Sequence, residues 1–135
     1  MGNAVHAQLV FGINFEEMRP FPETFEAFED LIIAESGIEV VPYGDTAWDE
    51  FRNRVYDLER AYPLEIIRHC RGTYVMYILA ARQPQFSSWR GETKIIDPAK
   101  LIVAPEVVAA MMEFCKRYDL PWTEPQWHLC PYSEE

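Results

Sequence analysis

Leu64-Glu65-Ile66-Ile67-Arg68-His69-Cys70-Arg71-Gly72-Thr73-Tyr74-Val75-Met76-Tyr77-Ile78-Leu79-Ala80-Ala81 is the stretch that decides the fold class. Two runs rich in β-branched and aromatic residues, 64–70 and 73–81, flank a glycine-containing break at Arg71-Gly72. That spacing predicts two strands joined as an antiparallel hairpin. The second run is apolar from Tyr74 to Ala80, which predicts a central strand, covered on both faces or flanked by a partner.

Moving outward from the hairpin, Pro63 ends a helical pattern over about 47–61. Trp48, Phe51, Val55, Leu58 and Tyr62 form one apolar stripe, and Asp49, Glu50, Arg52, Asn53, Arg54, Asp57 and Arg60 form the polar side. Thr46 is the expected N-cap, with Asp49 three residues on. Further upstream, Val5, Ala7, Leu9, Phe11, Ile13 and Phe15 alternate with His6, Gln8, Gly12 and Asn14, and only Val10 breaks the polar series. This predicts a half-buried strand. After a break at Met18–Pro22, the spacing of Phe25, Phe28, Leu31 and Ile32 predicts a short helix stopped by Gly37. Ile38–Val41 is expected to be a brief strand. Downstream, Arg82–Gly91 reads as a loop and Thr93–Ile96 as a short strand. Pro105 suits the first turn of a third helix, whose core side carries Val107, Val108, Met111, Phe114, Cys115 and Tyr118. Trp127–Tyr132 reads as the last strand. Hairpins and helices without regular βαβ alternation predict an α+β fold, with a mostly antiparallel sheet of four to five strands packed with about three helices.

The chain of 135 residues fits a single domain, 1–135. It is long enough to bury roughly two thirds of its unfolded surface without disulfides or metal. The apolar fraction of 49% argues against disorder, and aromatics reach 14%. The net charge of -10 is unevenly spread. Residues 1–60 hold 13 acidic and 4 basic side chains, a net of -9, whereas residues 61–135 hold 9 and 8, a net of -1. Without a basic footprint, no direct nucleic-acid binding is expected, nor attraction to an anionic membrane. Three cysteines, Cys70, Cys115 and Cys130, make no disulfide framework and point to a reducing, cytoplasmic setting. The first residues lack the pattern of a secretory signal, and no apolar run approaches transmembrane length.

The run Cys70-Arg71-Gly72-Thr73-Tyr74-Val75-Met76-Tyr77-Ile78-Leu79-Ala80 resembles a segment of small uncharacterised proteins of bacteriophages and prophages. In those, a C-S-G-x-Y-P-M-Y-I-L-like strand is followed by an R-G element, and a helix ending near E-F-C precedes a terminal W-x-L-x-S-Y. Arg90-Gly91, Glu113-Phe114-Cys115 and Trp127-His128-Leu129-Cys130-Pro131-Tyr132 occupy similar places here. Arg71, Val75 and Pro131 depart from the pattern. The resemblance covers roughly the C-terminal half. It implies a phage or bacterial origin and brings no catalytic residue with it.

Chemical motifs are sparse. His6, His69, Cys70, His128 and Cys130 are the soft metal ligands, and His128 and Cys130 share a strand face. No C-x-x-C or H-E-x-x-H spacing accompanies them, so no metal is expected. Cys70 beside His69 and Cys130 near His128 imitate Cys–His pairs, but strand neighbours point apart, and Cys115 belongs to a core helix face. The adjacent acids Glu16-Glu17, Glu29-Asp30 and Asp49-Glu50 sit on polar faces or turns, where solvation is their default state. No glycine-rich phosphate cradle exists, and no cofactor is expected.

Two surfaces remain. Glu23, Glu26, Glu29 and Asp30 crowd one side of the first helix, either as solubilising charge or as a dock for a basic protein. Phe86, Trp89 and Arg90 lie in the expected 82–91 loop, with residue types enriched in binding hot spots. These seven residues are the expected partner-binding set of a small acidic, non-enzymatic interaction module, and the resemblance implies a phage-encoded modulator or inhibitor of a bacterial host protein. The alternative is a small-molecule binder or enzyme with a pocket between sheet and helices, using Arg68, His69, Tyr74, Tyr77 and His128. The two-faced apolar strand is also compatible with a homodimer.

Overall fold

The computed structural model describes residues 4–15, 25, 27–71 and 74–134. Strand β1 (Ala4–Phe15) is followed by helices α1 (Phe28–Ser36) and α2 (Trp48–Ala61), then by strands β2 (Leu64–Arg71), β3 (Tyr74–Ala81) and β4 (Phe86–Trp89). A short 3-10 turn, Pro98–Lys100, leads to α3 (Pro105–Arg117) and to β5 (Gln126–Glu134). The fold is α+β, and every strand pairing is antiparallel.

β1 organises the sheet. β5 pairs with it from Ala4 to Gly12. β3 pairs with it from Gly12 to Phe15, and β4 from His6 to Leu9. Both of those stretches overlap the β5 pairing, so β3 and β4 must share the other edge of β1. The hairpin register, Leu64↔Ala81 to Arg71↔Tyr74, sets β2 outside β3. The sheet is therefore a four-ribbon structure, β2, then β3 continuing into β4, then β1, then β5.

Between β3 and β4 the path bulges. Ala80 to Phe86 is six steps along the chain, while their partners Gly12 and Leu9 are three apart. Arg82 anchors the bulge through Nε to the Tyr62 carbonyl (2.7 Å), Nη2 to the Leu64 carbonyl (3.2 Å) and Nη1 to the Glu65 carboxylate (3.0 Å). Gln85 donates to the Ala81 carbonyl (2.9 Å). Gly12 is required where β1 meets β3, because a Cβ there would lie 2.1 Å from the Leu79 carbonyl oxygen.

Strand alternation divides the burial between two faces. On one, Ile13, Phe15, Leu64, Leu79 and Ala81 pack with Leu31 of α1 and with Met111, Phe114 and Cys115 of α3. On the other, Val10, Ile67, Ile78, Ala80 and Cys130 form a smaller cluster. Val10, the break in the polar series of β1, is fully buried in that second cluster. α2 packs on α1 and buries Phe51 and Val55.

Several boundaries differ from expectation. α2 is capped by Ala47, not Thr46, and the Asp45 carboxylate accepts the Ala47 amide (2.9 Å), because an aspartate closes such a turn better than a threonine. Phe86–Trp89 is a strand, not loop: the free edge of β1 recruits a segment too short for its own alternation to declare it. Ile38–Val41 and Thr93–Ile96 form no strand, and both edges of β1 are already occupied. The break at Met18–Pro22 and the glycine of the hairpin turn lie outside the described residues. Gly37 does stop α1, in the left-handed region at φ 71°.

Candidate functional site

The acidic residues of α1 are largely committed to the fold. Glu29 pairs with Arg52 of α2 through both guanidinium nitrogens, one at 2.9 Å. That hydrogen bonding holds the Glu29 carboxyl below its usual range, against an opposing push from burial. Asp30 accepts the Ala27 amide (3.1 Å) and so caps its own helix. Glu35 accepts from Arg117 (2.7 Å) and from the Tyr118 hydroxyl. Burial and the Glu35 contact push Tyr118 up to about 12. Glu23 and Glu26 lie outside the described residues.

Among the described residues, exposed negative charge gathers instead at the α1–α2 connection, on Glu39, Asp45, Asp49 and Glu50. A cleft of about 300 Å³ opens there. Ile38, Val41 and Phe51 supply its apolar lining, and Glu39, Glu50 and Arg54 its charged groups. Next to it, Tyr43 is 87% exposed and meets Trp48 edge-on at 5.3 Å, and Trp48 meets Phe51 at 5.8 Å. The Arg52 guanidinium lies 5.8 Å from the Trp48 ring centre. The sequence did carry a signal for this surface: the run Val40-Val41-Pro42-Tyr43-Gly44 puts apolar residues into a polar connection.

Phe86 and Trp89 do not share a surface, because an odd spacing on a strand sends them to opposite faces. Phe86 packs toward Trp127 (6.3 Å), while Trp89, 49% exposed, stacks on His6 (4.5 Å). Arg90 is exposed in the turn after β4.

The alternative pocket set is also divided. His69 and His128 lie on the sheet face away from the helices. His69 Nε2 is 3.1 Å from Asn14 Oδ1, and His128 Nε2 donates to the Gly12 carbonyl (3.0 Å). Burial, then the neighbouring His128, lowers the His69 pKa. Arg68 and Tyr77 pair with each other across the strands, and Tyr77 packs on the helix-side core. The Tyr74 side chain lies outside the described residues. The four with described side chains are divided between the two faces of the sheet.

Burial pushes the Cys115 and Cys130 thiols up, which makes both poor nucleophiles. Among the described residues, no three His, Cys, Asp or Glu side chains are placed to hold a metal ion, and no helix is long and apolar enough to cross a membrane.

A second groove of about 300 Å³ lies at the β4 end of the helix-side face, beyond the helices. Leu9, Phe86, Ile96 and Leu129 line it, with Lys94 and Ser87 as polar groups. Leu129, midway along β5, is 69% exposed. Comparison with protein-family models, with curated proteins and with solved structures finds no match.

Proposed function

We propose that this chain is a small acidic, non-enzymatic interaction module of the cytoplasm that docks a basic protein partner at the α1–α2 cleft. The observation that carries this reading is Tyr43, 87% exposed and set edge-on against Trp48 beside the cleft carboxylates. An exposed aromatic on a supporting ring, next to an apolar hollow, is the composition of a binding hot spot. A partner lysine or arginine fits the chemistry of the hollow. Its aliphatic stem lies on Ile38, Val41 and Phe51, and its cation meets Glu39 and Glu50. The resemblance to phage proteins supports a role as a phage-encoded modulator of a bacterial host protein.

Capture from a bacterial lysate, followed by affinity measurement on the purified partner, tests the reading. Tyr43→Ala is expected to weaken binding roughly tenfold, as loss of an aromatic anchor does. Glu39→Lys with Glu50→Lys is expected to abolish it. Binding that survives both changes excludes the cleft.

A second reading, a small-molecule-binding protein or enzyme, is favoured by the other groove. Its volume falls at the lower end of ligand pockets, which span roughly 300–1,000 Å³. A metabolite panel that raises the melting temperature of the native protein, but not of Phe86→Ala, supports it.

A further inference from the structure

β5 borders the sheet. It pairs with β1 along nine residues, and no described residue pairs with its outer edge. A strand edge is a row of amides and carbonyls ready to pair, and monomeric proteins protect such edges with charge, proline, bulges or cover. β5 lacks the charge: from Gln126 to Ser133 it holds no Asp, Glu, Lys or Arg. Its exposed centre is apolar Leu129, which lines the second groove together with Ile96. The opposite border, β2, carries Glu65, Arg68 and Arg71.

We infer that β5 pairs antiparallel with β5 of a second copy, so that two sheets join into one across a two-fold axis. An antiparallel strand pair about a two-fold axis is self-complementary in its hydrogen bonds, so a second copy always fits. Pro131 narrows the register. It has no amide hydrogen, so it suits β5 only where the amide turns away from β1. Trp127 and Leu129, at even spacings from Pro131, turn their amides the same way. Odd-numbered residues of one copy therefore face odd-numbered residues of the other; with the axis beside His128, Leu129 of each copy faces Trp127 of the other, Pro131 falls outside the pairing, and both helix layers lie on one side. Charge permits this contact: from Gln126 to Ser133 the strand itself brings no like charge to the join. The pairing consumes the bare edge and stops, because the new outer borders are the charged β2 strands. The assembly is a closed dimer that carries two α1–α2 clefts, and it stands or falls independently of what those clefts bind.

Light scattering and sedimentation of the native chain are expected to give twice the mass of 15.8 kDa. Leu129→Lys puts a charge on an already exposed position of the edge and is expected to give a monomer with unchanged circular dichroism. Tyr43→Ala remains a dimer while losing the partner of the cleft, which separates the two proposals. Hydrogen exchange on the native protein gives a reading that needs no variant: the Leu129 amide becomes more protected as concentration rises through dimerisation. A native monomer up to its solubility limit overturns the inference, including one whose Leu129 amide is protected only by a foreign strand. A dimer that Leu129→Lys leaves intact overturns it as well.

Discussion

β2 and β5 both border the sheet, yet Glu65, Arg68 and Arg71 run along β2 while β5 holds no carboxylate, lysine or arginine until Glu134. β2 is also touched by α3 and tied to the β3–β4 bulge through the Glu65–Arg82 ion pair. The difference teaches that a sheet border is defined less by where the strands run out than by which side chains make further pairing costly. A lysine or arginine that would lose water against a neighbouring strand ends a sheet, and a leucine does not.

The largest change is expected from erasing that difference. Arg68→Thr with Arg71→Thr leaves Glu65, held by Arg82, as the one carboxylate or base on β2 besides His69. Dimers should then join edge to edge into assemblies whose mass grows with concentration, visible by sedimentation. An unchanged mass shows that charge does not end the sheet at β2.

Arg82→Ala attacks the anchoring of β2 instead. It leaves two backbone carbonyls and a half-buried Glu65 without their guanidinium partner, a loss of about 3 kcal/mol in urea unfolding. Gly12→Ala strikes the line where β1 meets β3. A methyl group 2.1 Å from a backbone oxygen forces the strands to shift, at about 2 kcal/mol. If both cost less than the surface change Leu129→Lys, the bare border matters to the folded chain itself and not only to its assembly.

The smallest effect concerns the histidines that the two borders direct over β1. The His69 pKa is lowered in the fold, so the unfolded chain takes up a proton first as pH falls. Its contribution to stability is complete above the ordinary histidine value of about 6.5 and is lost as pH drops through the lowered folded value. The loss is expected to be the smallest of the set, since the ring is only partly buried, and His69→Gln should flatten the pH profile of the urea midpoint. His128, whose ring is held by the Gly12 carbonyl from the β5 side, is the natural comparison.

Elements that announce themselves locally were legible in the sequence. The alternation of Val5–Phe15, the apolar stripe from Trp48 to Tyr62, the hairpin on either side of Gly72 and the proline-led third helix each carry their own period. Pairing across long separations has no such local mark. Four residues, Phe86–Trp89, become a strand only because β1 has an edge to fill, and no pattern within 82–91 says so. Nor does a count of acids show that Glu29 and Glu35 are already bound to Arg52 and Arg117, whose helices lie elsewhere in the chain. The exposed acids that remain lie beside Tyr43, a residue whose importance depends on the ring of Trp48 behind it.

β1 and β5 are the first and last strands among the described residues, and their paired residues lie between 114 positions apart (Gly12 with Gln126) and 130 apart (Ala4 with Glu134). During synthesis, one flank of β1 therefore has no partner until the last strand has emerged. Contacts at such separations form slowly, because a long loop must close before any of them is gained. A nascent or truncated chain that ends before Gln126 presents the apolar flank of β1 to whatever is near, which makes β5 a safeguard of that strand against aggregation.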